Sequence, residues 1–291
     1  YSRLIGADGN FRLNPTTSVS GRAVRTWLRD PGGVERTGRM LESSIRQNGR
    51  NLRWFLASYQ LSPDFGTDVG FVRRTDEQRV FGNVSYRFWP EGRIINWGPR
   101  VSMSRNWDFE RLLQDRGLRL GLNFSFAGNI SFSTDMNRDM ERFLGTKFEK
   151  TRFFVRTNVN ASRSYSFGAN LRVGDEILYS ADPALGHQVG WGLNAQVRPT
   201  PSISTRFNLN ATRLTIDDVE EFSVKILRAT TTYQVTEKFR LRNFTEFNSL
   251  DKELDLNLLV TYRINAGTVF FVGYDDHYQQ ADLIEGDRDG D

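Results

Sequence analysis

The chain of 291 residues contains no cysteine, so neither a disulfide framework nor a thiolate metal site is available to it. It also lacks a long apolar run. Its apolar stretches are only a few residues each, far below the roughly 18 to 20 that a membrane-crossing helix needs. Mean hydropathy is −0.51, a value that suggests a soluble protein until one notes that strict alternation averages a lipid-facing strand to near neutrality. Histidine is almost missing: His187 and His277 are the 2 in the chain, and no Ser-His-Asp or His-Glu spacing surrounds either, so both read as loop residues rather than catalytic ones. Lysine is scarce as well, with the 39 basic residues dominated by arginine. A sequence pI near 9.4 therefore comes from arginines spread along strands, not from a basic patch. No glycine-rich phosphate loop and no nucleic-acid module is present, which excludes nucleic acid as an expected partner. There is no signal peptide, and Tyr1 rather than Met opens the chain, which reads as a segment of a longer precursor.

What the chain has instead is a period of two. Leu118, Leu120, Leu122, Phe124 and Phe126 alternate with Arg119, Gly121, Asn123 and Ser125. A helix would space its apolar positions by three and four, whereas a pleated strand puts every second residue on one face. The same pattern recurs in segments of about ten residues, the reach of a tilted bilayer-spanning strand. Aromatic residues make up 13% of the chain, which suits a lipid-facing band with interfacial anchors.

These readings predict an all-β fold: a transmembrane antiparallel β-barrel of about 16 strands. It forms a single domain over residues 1–291 and lies in the bacterial outer membrane, with outer-membrane lipid around it. The strand carrying Trp54 is ambiguous, since either Leu52, Trp54 and Leu56 or Phe55, Ala57, Tyr59 and Leu61 could face lipid. Short turns are expected near residues 14–17, 47–51, 90–92, 127–129, 162–164, 198–202, 234–238 and 264–267. Longer loops are expected at 62–79, 105–117, 137–151 and 174–188, on the outer side. The competing soluble reading, one or two β-sandwiches, needs strands of five or six residues. The stripes here are deeper than that, and no Pro/Gly-rich boundary divides the chain.

If the apolar stripe faces lipid, Arg100, Arg119, Arg156, Arg172, Arg206, Arg242 and Arg263 line the lumen among asparagines. Each would cost about 2–4 kcal/mol on the lipid face near the midplane. They either pair with acids such as Asp135, Glu246 and Asp255 or form a basic wall that favours anionic solutes. No catalytic residue, cofactor site or metal site is predicted. The carboxylate pairs Asp217/Asp218 and Glu220/Glu221 fall in expected loops, where spacing alone establishes no acid–base geometry. The acidic tail ending Gly286-Asp287-Arg288-Asp289-Gly290-Asp291 superficially resembles a calcium loop but lacks the terminal bidentate glutamate.

Two segments carry a resemblance. One is Ser62-Pro63-Asp64-Phe65 followed by Asp68-Val69-Gly70-Phe71-Val72-Arg73-Arg74 and Asp76. The other is Tyr262-Arg263-Ile264 with Gly267-Thr268-Val269-Phe270-Phe271-Val272-Gly273-Tyr274. Both are similar to segments of the uncharacterised bacterial outer-membrane barrels that follow an N-terminal carbohydrate-binding-type β-sandwich. The resemblance implies a glycan-handling context. The sandwich itself is absent here, so its glycan-binding residues have no counterparts, and the family's final strand is missing after Asp291. A closing strand there and a partner before Tyr1 would bring the count to about 18. Within the first segment, Phe71, Arg73 and Arg74 are the candidates for a loop constriction or cover. The expected function is a porin or transporter passing an anionic solute or a glycan. The alternative is a membrane anchor for a carbohydrate-binding or hydrolytic domain outside this chain.

Overall fold

Extended chain with alternating side chains leaves its backbone N–H and C=O groups pointing sideways, and each strand here satisfies them with its sequence neighbour. The computed structural model describes residues 1–30, 32–67, 72 and 74–279. They form sixteen strands and no helix: β1 (Ser2–Asn14), β2 (Thr17–Arg29), β3 (Glu35–Asn48), β4 (Leu52–Leu61), β5 (Glu77–Tyr86), β6 (Ile94–Trp107), β7 (Leu113–Phe126), β8 (Ile130–Phe143), β9 (Thr146–Val159), β10 (Tyr165–Leu178), β11 (Ala184–Thr200), β12 (Ile203–Ile216), β13 (Val219–Gln234), β14 (Phe239–Asn248), β15 (Glu253–Asn265) and β16 (Thr268–Gln279). They lie in one sheet in sequence order, with antiparallel ladders. The chain divides into two units, Tyr1–Phe124 with Asp135–Arg152 and Ser125–Thr134 with Phe153–Asp291.

In the first unit the register decides which face is apolar. Val84 lies opposite both Trp54 and Val101, so Leu52, Trp54 and Leu56 share the face of Val80, Val84 and Met103. The ambiguity in β4 is thereby resolved: Phe55, Ala57, Tyr59 and Leu61 take the polar face. Leu56, Val80, Val84, Ile95, Met103, Leu118, Leu120 and Leu122 are all exposed, Leu120 at 44%, whereas Leu61 on the other face is 2% exposed. A soluble sheet would bury such a stripe. Near one strand end the stripe closes in aromatic contacts, Tyr86 with Phe88, Phe88 with Trp97 and Trp97 with Phe124, at centroid distances of 4.8, 4.6 and 6.0 Å. Large amphipathic rings at that level are the interfacial girdle of membrane barrels.

The second unit repeats the arrangement. Leu193, Leu209, Leu227, Phe247 and Leu254 stand directly opposite one another across β11 to β15, forming one apolar row across five strands. Phe153, Phe167, Leu171, Trp191, Phe207, Leu258 and Tyr262 extend the same exposed face.

Three of the four expected long loops are mostly strand. The connection within 105–117 is residues 108–112, that within 137–151 is Leu144–Gly145, and that within 174–188 is 179–183. Outside the apolar band both faces of a strand are polar, so alternation disappears from the sequence while the backbone ladder continues. Leu144 and Gly145 both have positive φ, 47° and 82°, which is the conformation of a two-residue hairpin turn. Asp217 and Asp218 (φ 47° and 66°) form another, so this acidic pair is turn chemistry. His187 and His277, expected in or beside loops, belong to β11 and β16.

Replacing Leu122 by arginine puts charge in the middle of the exposed stripe and should lower stability in lipid vesicles by about 2–4 kcal/mol. The neighbouring Asn123→Arg, on the polar face, should cost less than about 1 kcal/mol. Denaturant unfolding of the reconstituted protein measures both, and equal losses would remove the distinction between the faces.

Candidate functional site on the polar face

Alternation places Arg100, Arg119, Arg156, Arg172, Arg206, Arg242 and Arg263 on the face opposite the exposed apolar stripe. The two units treat these arginines differently. In the first, Arg100 Nη2 donates to Asp135 Oδ1 at 2.6 Å and Arg119 Nε donates to Asn137 Oδ1 at 2.9 Å. Nearby, Lys150 Nζ donates to Glu141 Oε2 at 2.7 Å and Arg152 pairs with Asp139. Lys150 and Asn137 are both buried. A buried cation survives only with such partners, because desolvation would otherwise dominate. This wall is polar but locally neutralised.

In the second unit the partners run short. Arg172 Nη1 reaches Gln188 Oε1 at 3.3 Å and its guanidinium lies 5.5 Å from the centre of the Phe154 ring. Glu246 is engaged by Arg228 through two hydrogen bonds, and Asp255 by His277. Both carboxylates expected to neutralise this region are thus occupied by others, Glu246 by Arg228, which the sequence did not single out, and Asp255 by His277, which it read as a loop residue. Arg156, Arg206, Arg242 and Arg263 are exposed. Among the described residues none of them forms a side-chain hydrogen bond or ion pair. Arg240, one alternate position before Arg242, is in the same condition.

Register brings most of this set together. Arg206 faces Thr230 across the β12–β13 ladder, and Thr232 lies opposite Ser204 on one side and Arg242 on the other. Arg240 faces Thr261 on β15, and Arg263 lies two residues beyond it. At about 4.8 Å between neighbouring strands, β12 and β14 are roughly 10 Å apart. Two guanidiniums flank a strip of hydroxyls and can bind a carboxylate, phosphate or sulfate from both sides.

The described residues of the connection between β4 and β5, 62–67, 72 and 74–76, are tied to the polar face of the first unit. Ser62 is tied to Arg39 twice, accepting from its N–H at 2.8 Å and donating its own N–H to its carbonyl at 3.0 Å. Gly38 makes room: a Cβ there would fall 2.2 Å from Phe65 Cα. At the far end Arg74 Nη1 donates to Asp115 Oδ2 at 3.2 Å, and Asp76 Oδ1 accepts from Phe109 N–H at 2.8 Å. Phe65 and Val72 are half-buried. Together with Tyr59, Leu61, Arg74 and Glu77 they line a crevice of about 520 Å³. Arg74 is therefore a loop anchor, while Phe71 and Arg73 lie outside the described residues.

His277 contacts Asp255 through Nδ1 and approaches Glu253 with Nε2 at 3.5 Å. All three belong to the polar face of β15 and β16, and no hydroxyl hydrogen-bonds to His277 among the described residues. Of the second carboxylate pair, Glu220 is ion-paired to Arg213 at 2.8 Å. Neither arrangement holds a nucleophile.

No known family and no curated protein matches the chain. Among solved structures, the ferric-catecholate import receptor Fiu from E. coli K12 is 11% identical over 95% of this chain, with a TM-score of 0.55. The chain spans 64% of that receptor's length. A porin and the Pseudomonas aeruginosa protein OccK9 (OpdG) align at 10% and 12% identity, covering 96% and 94% of this chain and 100% and 90% of theirs, each with a TM-score of 0.49. The fold is a transmembrane antiparallel β-barrel of outer-membrane type.

Gly38→Val should dislodge the start of the Ser62–Asp76 connection, because its side chain would occupy the place of the Phe65 backbone. Trypsin cleavage between residues 62 and 76 should accelerate by about tenfold or more, the equivalent of roughly 1.4 kcal/mol of lost loop stability. Gly21→Val is the control, since a Cβ there meets only Glu42 O at 3.8 Å. Equal cleavage of the two variants would show that the loop does not depend on this contact.

Proposed function

We propose that the chain is an outer-membrane pore of porin or transporter type whose second unit favours small anionic solutes. The observation that carries the reading is the set Arg206, Arg240, Arg242 and Arg263, which share one polar face with no carboxylate bound to any of them among the described residues. The membrane setting rests on the exposed apolar stripe in both units and on the barrel fold.

Arginine keeps its charge at any pH the cell meets. On a water-bathed wall its attraction for an anion is weak, about 1 kcal/mol at contact in bulk water and up to about 4 kcal/mol at an effective dielectric near 20. That range suits passage: strong enough to enrich anions within the roughly 8 Å screening length, weak enough to release them. Arg100, Arg152 and Lys150 of the first unit contribute little, because Asp135, Asp139 and Glu141 cancel them locally. A glycan cargo has the family resemblance as its support, and a carboxylated or sulfated one would match both the hydroxyls and the guanidiniums of this face.

Reversal potentials of the reconstituted protein under a tenfold KCl gradient provide the test. Anion preference is expected, and the double variant R206Q/R242Q should move the reversal potential toward zero. Cation preference, absence of conductance, or a selectivity untouched by the double variant would each overturn the reading.

A further inference from the structure

In the first unit, three adjacent strands leave the apolar band in the same way. Outward Met103 is followed two residues later by Arg105 on β6, outward Leu118 is preceded by Arg116 on β7, and outward Met136 is followed by Arg138 on β8. Residues two apart share a face and lie about 7 Å from each other along the strand. Hydrocarbon contact therefore gives way to guanidinium in a single step, at the level where acyl chains end and headgroups begin. On β9, Lys147 and Glu149 complete the cluster.

The charges do not balance. Glu149 is approached by Arg116 at 3.0 Å, Lys147 at 2.9 Å and Arg138 at 3.9 Å, so one carboxylate is shared by three cations. Arg105 has no side-chain hydrogen bond or ion pair among the described residues. Arg105, Arg116, Arg138, Glu149 and Asp139, the last already paired with Arg152, line a crevice of about 390 Å³ together with Met103 and Leu118, both exposed and continuous with the lipid-facing stripe. The opposite border of the same unit is built from Tyr86, Phe88, Trp97 and Phe124, and its arginines Arg50 and Arg87 lie over the Trp89 ring.

We propose that this crevice binds the phosphorylated headgroup of an anionic lipid in the leaflet at that border. The inference rests on the membrane reading of the apolar stripe but not on the anion-selective wall, which lies on the other face. Guanidiniums grip phosphate oxygens in pairs. Glu149 holds three of the cations in place, and Met103 and Leu118 receive the first carbons of the acyl chains. Those apolar contacts are what a lipid gains and a free phosphate does not.

Native mass spectrometry of the full chain in detergent tests this, with phosphatidic acid, phosphatidylcholine of the same acyl chains and inorganic phosphate as probes. Phosphatidic acid should be retained at about tenfold lower concentration than phosphatidylcholine, and R105Q/R116Q/R138Q should abolish the difference. R105Q alone, which breaks no ion pair and so leaves the fold intact, should reduce the preference about fivefold. Equal retention of the two lipids by the wild type, or a preference that survives the triple variant, would overturn the proposal. Inorganic phosphate retained as well as phosphatidic acid would also overturn it, marking a free-anion site. Failure to retain any lipid and to insert into vesicles would instead count against the membrane reading itself.

Discussion

Hydrocarbon accepts a polypeptide only when every backbone N–H and C=O is paired within the protein and no charge is turned toward the lipid. Both demands are visible here. Sequential antiparallel pairing satisfies the backbone of β2 to β15 through the neighbours on both sides. The period of two then sorts side chains without further instruction, apolar to one face and arginine, asparagine and threonine to the other. The apolar row Leu193, Leu209, Leu227, Phe247 and Leu254 is continuous across five strands because the register never slips by one residue there. A slip would bring Arg228 or Glu246 to the lipid.

The polar face is where the chain is free to specialise, and its two units have done so in opposite ways. In the first, Asp135, Asp139 and Glu141 answer Arg100, Arg152 and Lys150, giving an ion-paired stretch of wall. In the second, Glu246 is held by Arg228, and Arg206, Arg240, Arg242 and Arg263 have no carboxylate partner among the described residues. Structural salt bridges and a field for anions are alternative uses of the same residue. Which use a given arginine serves depends on whether a carboxylate occupies the next strand at the same level.

That dependence explains what the sequence showed and what it hid. Strand identity was legible wherever one face is apolar, as in Leu118 to Phe126, because alternation is a local property. The facing of β4 was not, since Trp54 and Phe55 are equally suited to lipid and only pairing with Val84 decides between them. The polar ends of β6 to β11 read as loops because solvent on both faces erases the pattern. Ion pairs were opaque for a different reason: Arg228 with Glu246 and His277 with Asp255 are 18 and 22 residues apart in the chain, joined by a register that composition does not encode. Gly38, which admits Phe65, gave no signal at all, since a glycine in a strand looks the same whether its space is filled or empty.

The account stands on the claim that one face of the sheet meets hydrocarbon. A nitroxide scan from residue 118 to residue 126 in reconstituted protein, recording collisions with oxygen and with a water-soluble nickel chelate, tests it most directly. Oxygen contact should peak at 118, 120, 122, 124 and 126 and nickel contact at the positions between them. Equal access of the nickel chelate to both sets would contradict it.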